Sequence, residues 1–160
     1  MNKAPDDNRE PKKETIHTGK LMQDHTEFSL PLASSQPQQQ KRILVIDDNP
    51  DIVFTLRIGL ESDPNMQVFG FDNPVTALVE FKPNFYDLLL IDVNMPLLDG
   101  FQLAQNLLRR DLNVRVCFMT SGEINIEAAR EAHPLRSIGC FIKKPISTEQ
   151  LLRRIRVELE

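Results

Sequence analysis

The sequence predicts an α/β protein: a doubly wound, five-stranded parallel sheet with helices on both faces. Three observations carry this reading. From Lys41 onward, short apolar runs alternate strictly with stretches of helical periodicity. The third run, "YDLLLID", holds an unbroken apolar stretch from Leu88 to Ile91, the pattern of a strand covered on both faces. Strict alternation calls for helical crossovers, and right-handed crossovers leave few topologies.

The elements follow in order. "RILVID" is the first strand. "NPDIVFTLRIGLES" places Ile52, Val53, Leu56 and Leu60 on one helical stripe, with Asn49 as N-cap and Pro50 at the favoured first position. "MQVFGF" is the second strand. "NPVTALVEFK" repeats the Asn-Pro start and is stopped near Pro83. "YDLLLID" is the third strand, and "GFQLAQNLLRR" sets Phe101, Ala104, Leu107 and Leu108 at helical spacing. "VRVCFMT" is the fourth strand. "EINIEAAREA" is the fourth helix, ending before "HPLRSIG" because Pro134 disfavours helix at His133. "CFIK" is the fifth strand. "STEQLLRRIRVELE" is the last helix, with Ser147 and Gln150 forming a capping box.

Composition shifts near residue 41. Residues 1–40 are rich in Pro, Gln, Ser and mixed charge and are expected to be a disordered tail. Residues 41–160 are expected to form the single domain. At 41% hydrophobic and 26% charged residues, the chain has the composition of a soluble globular protein. Its net charge of −4 gives no electrostatic case for direct nucleic-acid or anionic-membrane binding. No window reaches the ~20 apolar residues of a membrane span, and the N-terminus has no secretory signal pattern. Cys117 and Cys140 show neither a disulfide framework nor a zinc spacing and are expected to be buried thiols of a cytoplasmic protein. The basic run at Arg153, Arg154 and Arg156 reads as a solvated helix face.

Ligands of such sheets sit beyond the carboxyl ends of the strands. The residues there are Asp47 and Asp48, then Asp92 with Asn94, then Thr120, then Lys143 and Lys144. Three carboxylates at one rim repel one another unless a cation compensates. Oxygen-only ligands suit Mg2+, which combines one or two carboxylates with water and phosphate oxygens. Asp48 and Asp92 are the expected direct ligands, Asp47 acts through water, and the Asn94 backbone carbonyl is within reach. Asp92 is the candidate nucleophile toward a phosphoryl group. Lys144 supplies a point charge and Thr120 a hydroxyl for its oxygens.

In order and with ordinary spacing, "VIDDNP", "LLLIDVNMPLLDG", "MTSG" and "FIKKPIS" resemble the receiver domain of two-component response regulators, which has a flavodoxin-like fold. The resemblance covers Lys41 to Glu160 and is closest to single-domain, chemotaxis-regulator-like members. It implies that Asp92 accepts a phosphoryl group from a sensor histidine kinase or histidine phosphotransfer protein, with Mg2+ as cofactor. It implies that Thr120 and Phe141 form a switch pair. That pair would remodel the face of the fourth helix, fifth strand and last helix for a downstream protein target. A phosphorylation-dependent dimer is compatible with it. The chain ends with the last receiver helix, so output is expected through a partner and not through catalysis by this chain. Two other readings stand beside this one. A phosphatase or phosphotransferase with an Asp nucleophile needs a second acid two residues on, where Asn94 stands, and would turn over generic phosphoesters. A receiver-like binding module that never carries phosphate would not need the complete acidic set.

Overall fold

The structure, a computed structural model, describes residues 39–123, 128, 131 and 138–160. The chain divides into two units, residues 1–34 and 35–160, and every described residue belongs to the second. The disordered-tail expectation for residues 1–40 therefore falls outside the described residues except at its last two positions.

Nine elements are built from the described residues: β1 (Lys41–Ile46), α1 (Pro50–Leu60), β2 (Met66–Phe71), α2 (Pro74–Glu80), β3 (Leu88–Asp92), α3 (Gly100–Leu108), β4 (Arg115–Thr120), β5 (Ile138–Lys143) and α4 (Thr148–Leu159). The helix expected over "EINIEAAREA" lies almost wholly outside them; Ala128 and Glu131 are helical. His133 is also outside. The strands form one sheet in the order β2-β1-β3-β4-β5, and all four pairings are parallel. The doubly wound architecture read from the sequence is thus the observed one.

Local chemistry explains the boundaries. Asn49 and Asn73 cap α1 and α2, each accepting backbone N–H groups with its side chain, and each is followed by proline at the first helical position. Both halves of the Ser147–Gln150 capping box are formed at α4. Asp99 caps α3 by accepting from Gln102 N. That cap is missed when "LLDG" is read only as a loop.

Strand alternation divides the core in two. Leu44, Ile46, Leu89, Ile91, Val116 and Phe118 face α2 and α3. Ile43, Val45, Leu88, Leu90, Cys117 and Met119 face α1 and α4. All five residues of β3 are buried, so the central strand is held on both faces.

The two cysteines correct the sequence reading. They are buried, but Cys117 and Cys140 are bonded to each other across β4 and β5, with Cα atoms 4.6 Å apart. The register explains why spacing did not reveal this. Val116 stands opposite Ile138 but Cys117 stands opposite Cys140, so β5 carries one extra residue, Gly139. That bulge brings Cys140 onto the same face as Cys117.

Candidate functional site

Parallel strands in register bring their carboxyl ends to one rim. Ile46 pairs with Ile91, so the next residues, Asp47 and Asp92, come level. Asp92 pairs with Met119, one residue before Thr120, and Thr120 pairs with Lys143, one residue before Lys144. The four groups picked from the sequence are therefore brought together by strand order alone.

Lys144 is the hub. Its Nζ donates to Asp47 Oδ2 at 2.8 Å and pairs with Asp92 Oδ1 at 2.6 Å. The remaining carboxylate oxygens are also used: Asn49 N donates to Asp47 Oδ1 at 3.0 Å, and Asn94 N donates to Asp92 Oδ2 at 3.0 Å. Both acids are buried, Asp47 at 1% and Asp92 at 3% exposure. Asp48 faces solvent and forms no ion pair among the described residues. Asn94 is exposed, and Lys143 points outward as strand alternation requires. The Lys144–Pro145 peptide is cis.

The electrostatics are asymmetric. Burial pushes the Asp92 carboxyl above the ordinary range, and neighbouring Asp47 pushes the same way. The Lys144 ammonium and the Asn94 N–H only partly offset them. Burial acts to lower Lys144, but hydrogen bonds and attraction from Asp47 and Asp92 outweigh it and hold the ammonium above its usual value. One ammonium is shared by two buried carboxylates, so the lysine is doubly satisfied while Asp92 is undercompensated.

This donor set fits a hard divalent cation. It offers carboxylate oxygens, a loop carbonyl and an excess of negative charge, and no His or Cys stands at the rim among the described residues. The three acids do not already close on one point among the described residues, because Lys144 lies between Asp47 and Asp92 and Asp48 faces outward.

Thr120 is buried, and its Oγ1 accepts from Gly122 N at 3.1 Å, which leaves the hydroxyl proton to donate. Phe141 is half-buried. Its ring stacks on Phe118, centroids 5.5 Å apart, with Phe101 at 6.4 Å. It packs on the α2–α3 side of the sheet, away from the cysteine pair.

Sequence reading missed other working carboxylates. Asp63 accepts from Asn65 N and pairs with Arg156 at 2.8 Å, tying α4 to the loop after α1. All three arginines of the basic run are exposed, as a solvated face requires; Arg156 reaches Asp63, and Arg153 pairs with Glu149 at 4.0 Å along the helix. Asp87 and Asp111 accept Arg42 N and Asn84 N at the amino-end rim. "SDPN" and "RRDLN" carry the turn chemistry that could have flagged two of these. Also missed were Phe54 and Ile58, exposed at 66% and 57% on the outer face of α1.

Comparison with known proteins agrees with the fold. The family model described as response regulator receiver domain matches residues 43–156. Among curated relatives, a protein-glutamate methylesterase/protein-glutamine glutaminase of Rhodospirillum rubrum is 28% identical over 120 residues, 74% of this chain and 33% of that protein. The cyclic di-GMP phosphodiesterase response regulator RpfG of Xanthomonas campestris is 32% identical over 117 residues, 70% of this chain and 30% of that protein. The chain thus spans about a third of the length of these relatives. Among solved structures, the non-phosphorylated HemR receiver domain of Leptospira biflexa superimposes with TM-score 0.67 at 26% identity, covering 76% of this chain and 95% of that one. The chemotaxis protein CheY4 of Vibrio cholerae shares the fold, with TM-score 0.65 at 21% identity over 74% and 98% of the two chains. A family-model match over most of the chain places it: the chain belongs to the response regulator receiver domain family.

Proposed function

We propose that Asp92 is the phosphoacceptor of this receiver domain. The supporting observation is the Lys144 ammonium bridging Asp47 and Asp92 at 2.8 and 2.6 Å, at the carboxyl rim of adjoining strands. Asp92 Oδ1 and Oδ2 are held from two sides, by Lys144 and by Asn94 N. The carboxylate is therefore aimed and cannot rotate freely. In the reaction an Asp92 oxygen forms a bond to phosphorus as the donor's phosphorus–nitrogen or phosphorus–oxygen bond breaks, giving an acyl phosphate. Lys144 then attends the phosphoryl oxygens. The Thr120 hydroxyl, engaged so far only as an acceptor, donates its proton to one of them.

Asp48, Asp92 and the Asn94 carbonyl are the ligands we assign to Mg2+, with Asp47 acting through water. When bound, the cation would supply charge neutralisation for the acids and an incoming phosphate.

Thr120 and Phe141 couple this event to a surface. Phe141 lies three residues before Lys144, and its half-buried ring packs against Phe118 and Phe101. Phe141, Ile142, Pro145, Ile146, Arg153 and Val157 are among the residues lining a groove of about 540 Å³ between β5 and α4. Lys143 and Pro145, which flank Lys144, are also in its lining, so the groove adjoins the rim, and we assign it to the downstream target. The phosphodonor, a histidine kinase or phosphotransfer protein, is assigned to the exposed Phe54 and Ile58 of α1, the helix that starts directly after Asp47 and Asp48. No helix among the described residues is long and apolar enough to cross a membrane, and a cytoplasmic site of action is part of the proposal.

Acetyl phosphate with Mg2+ tests the core of this reading. The wild type should gain one phosphate by intact mass, and Asp92→Asn none. Equal labelling of both proteins would remove Asp92 as the acceptor.

A further inference from the structure

We propose that Cys117 and Cys140 form a reversible redox cross-link that ties β4 to β5 beneath the acidic rim and thereby sets the freedom of Thr120 and Lys144. The regulatory half of this inference rests on the reading of the rim as a phosphoryl site. The cross-link itself does not.

The two cysteines occupy one register position of adjacent strands, with Cα atoms 4.6 Å apart, within the range disulfides span. Strand alternation aims both at the α1–α4 face, where they are buried at 0% and 3% exposure. Gly139 makes this possible twice. As the extra residue of the bulge, it brings Cys140 opposite Cys117. Having no side chain, it also leaves room for the Glu158 carboxylate, which a Cβ there would overlap.

The position matters for the site. Thr120 is three residues beyond Cys117 on β4, and Lys144 is four beyond Cys140. The ladder continues from the bonded pair to the rim, where Lys144 N donates to Thr120 O at 2.8 Å. A covalent tie at this point fixes the spacing of the two strand ends that carry the hydroxyl and the ammonium. Access is through the sheet edge. β5 is the terminal strand of the order, so opening it exposes both sulfurs without disturbing β1 or β3.

The chemistry balances with a peroxide as oxidant. One thiolate takes an oxygen from hydrogen peroxide, giving a sulfenic acid and hydroxide. The second thiolate displaces hydroxide from that sulfur, and with the two thiol protons two waters leave. A dithiol reverses the step and ends as its own cyclic disulfide.

The test uses the full chain treated with hydrogen peroxide or with dithiothreitol, each then freed of reagent. Thiols counted after denaturation should number zero and two. The oxidised form should melt roughly 10 °C higher, the shift expected for closing a loop of this length in a domain of this size. Phosphate uptake from acetyl phosphate should differ at least threefold between the two forms, and a Cys140→Ala variant should lose all sensitivity to either reagent. Two thiols persisting after peroxide, with or without a zinc ion held by them and Glu158, overturn the cross-link. A bond that forms while uptake is identical in both forms overturns the regulatory role. If neither form is labelled at Asp92, the rim reading fails and the regulatory role with it, while the thiol count still decides the bond.

Discussion

Replacing Gly100 with alanine sets helix propensity against sterics. Gly100 is the first residue of α3 and is buried against the tip of β3. A Cβ built there overlaps the Asp92 carbonyl oxygen and stands 2.9 Å from Val93 Cα and 3.0 Å from Asp92 C. Those neighbours are backbone of the central strand and cannot swing aside. The helix must back away, which stretches the 3.0 Å hydrogen bond from Gly100 N to Val93 O. Alanine gains at most about 1 kcal/mol in helix propensity, and less at the first position. Overpacking costs about 1–3 kcal/mol, and the weakened bond about 1 kcal/mol. The net is a loss of about 2 kcal/mol. With an unfolding entropy of about 2.1 cal/mol/K per residue, a domain of about 120 residues should melt about 8 °C lower. The displaced loop also carries the backbone that aims Asp92, so uptake from acetyl phosphate should fall by about tenfold or more. Gly122→Ala is the control: among the described residues its Cβ meets only Thr120 Oγ1, at 3.8 Å, and melting should stay within about 2 °C of wild type. Melting of Gly100→Ala at or above the wild-type temperature would refute the steric reasoning.

Three further outcomes are expected. Phe54→Asp on α1 should slow transfer from a phosphohistidine protein donor at least tenfold while leaving uptake from acetyl phosphate unchanged; equal loss with both donors would mean the helix was damaged. The Asp63 carboxyl is held below the ordinary range first by the Asn65 N–H and then by Arg156, so its contribution is present above the unfolded carboxylate value and is lost as pH falls through the lowered one. Denaturant unfolding at pH 7 should find Asp63→Asn less stable by about 1 kcal/mol, and the gap should close in acid; a gap that widens on acidification contradicts this sign. Mg2+ at a hundred times its Kd should stabilise wild type by about 2.7 kcal/mol, and the same concentration should leave Asp48→Ala unmoved.

The rim was legible in the sequence because parallel strands need no side-chain detail to align their ends. Once five strands are placed, Asp47, Asp92, Thr120 and Lys144 fall at one edge, and the register confirms the level of each. The caps at Asn49, Asn73 and Ser147 were legible for the same local reason. The cysteine bond was not, because it depends on a one-residue bulge at Gly139, and a slip of one residue moves a side chain to the opposite face. Nor was the split between Asp47 and Asp48. Both follow β1, but only the register shows Asp47 buried against Lys144 while Asp48 stays in water.

That split explains why one lysine is not enough. Among the described residues, the rim sets three carboxylates, Asp47, Asp48 and Asp92, against the one ammonium that contacts any of them, Lys144, so acids outnumber the ammonium. Lys144 is already divided between two buried acids, which is why burial still leaves Asp92 above the ordinary carboxyl range. On the proposed reading, phosphorylation of Asp92 would exchange a single charge for a group of about −1.5 to −2 and so increase the excess. Lys144 can follow the phosphoryl oxygens only by loosening its hold on Asp47, which uncovers a carboxylate of 1% exposure. Asp48, exposed and uncommitted, is the acid free to take up a divalent charge without breaking that contact. Uptake from acetyl phosphate should therefore depend on Mg2+ even with Lys144 in place, and Asp48→Ala should weaken that dependence more than Lys144→Ala does. The reverse order, measured as labelling rate against Mg2+ concentration, would show that Asp47 and not Asp48 supplies the second carboxylate.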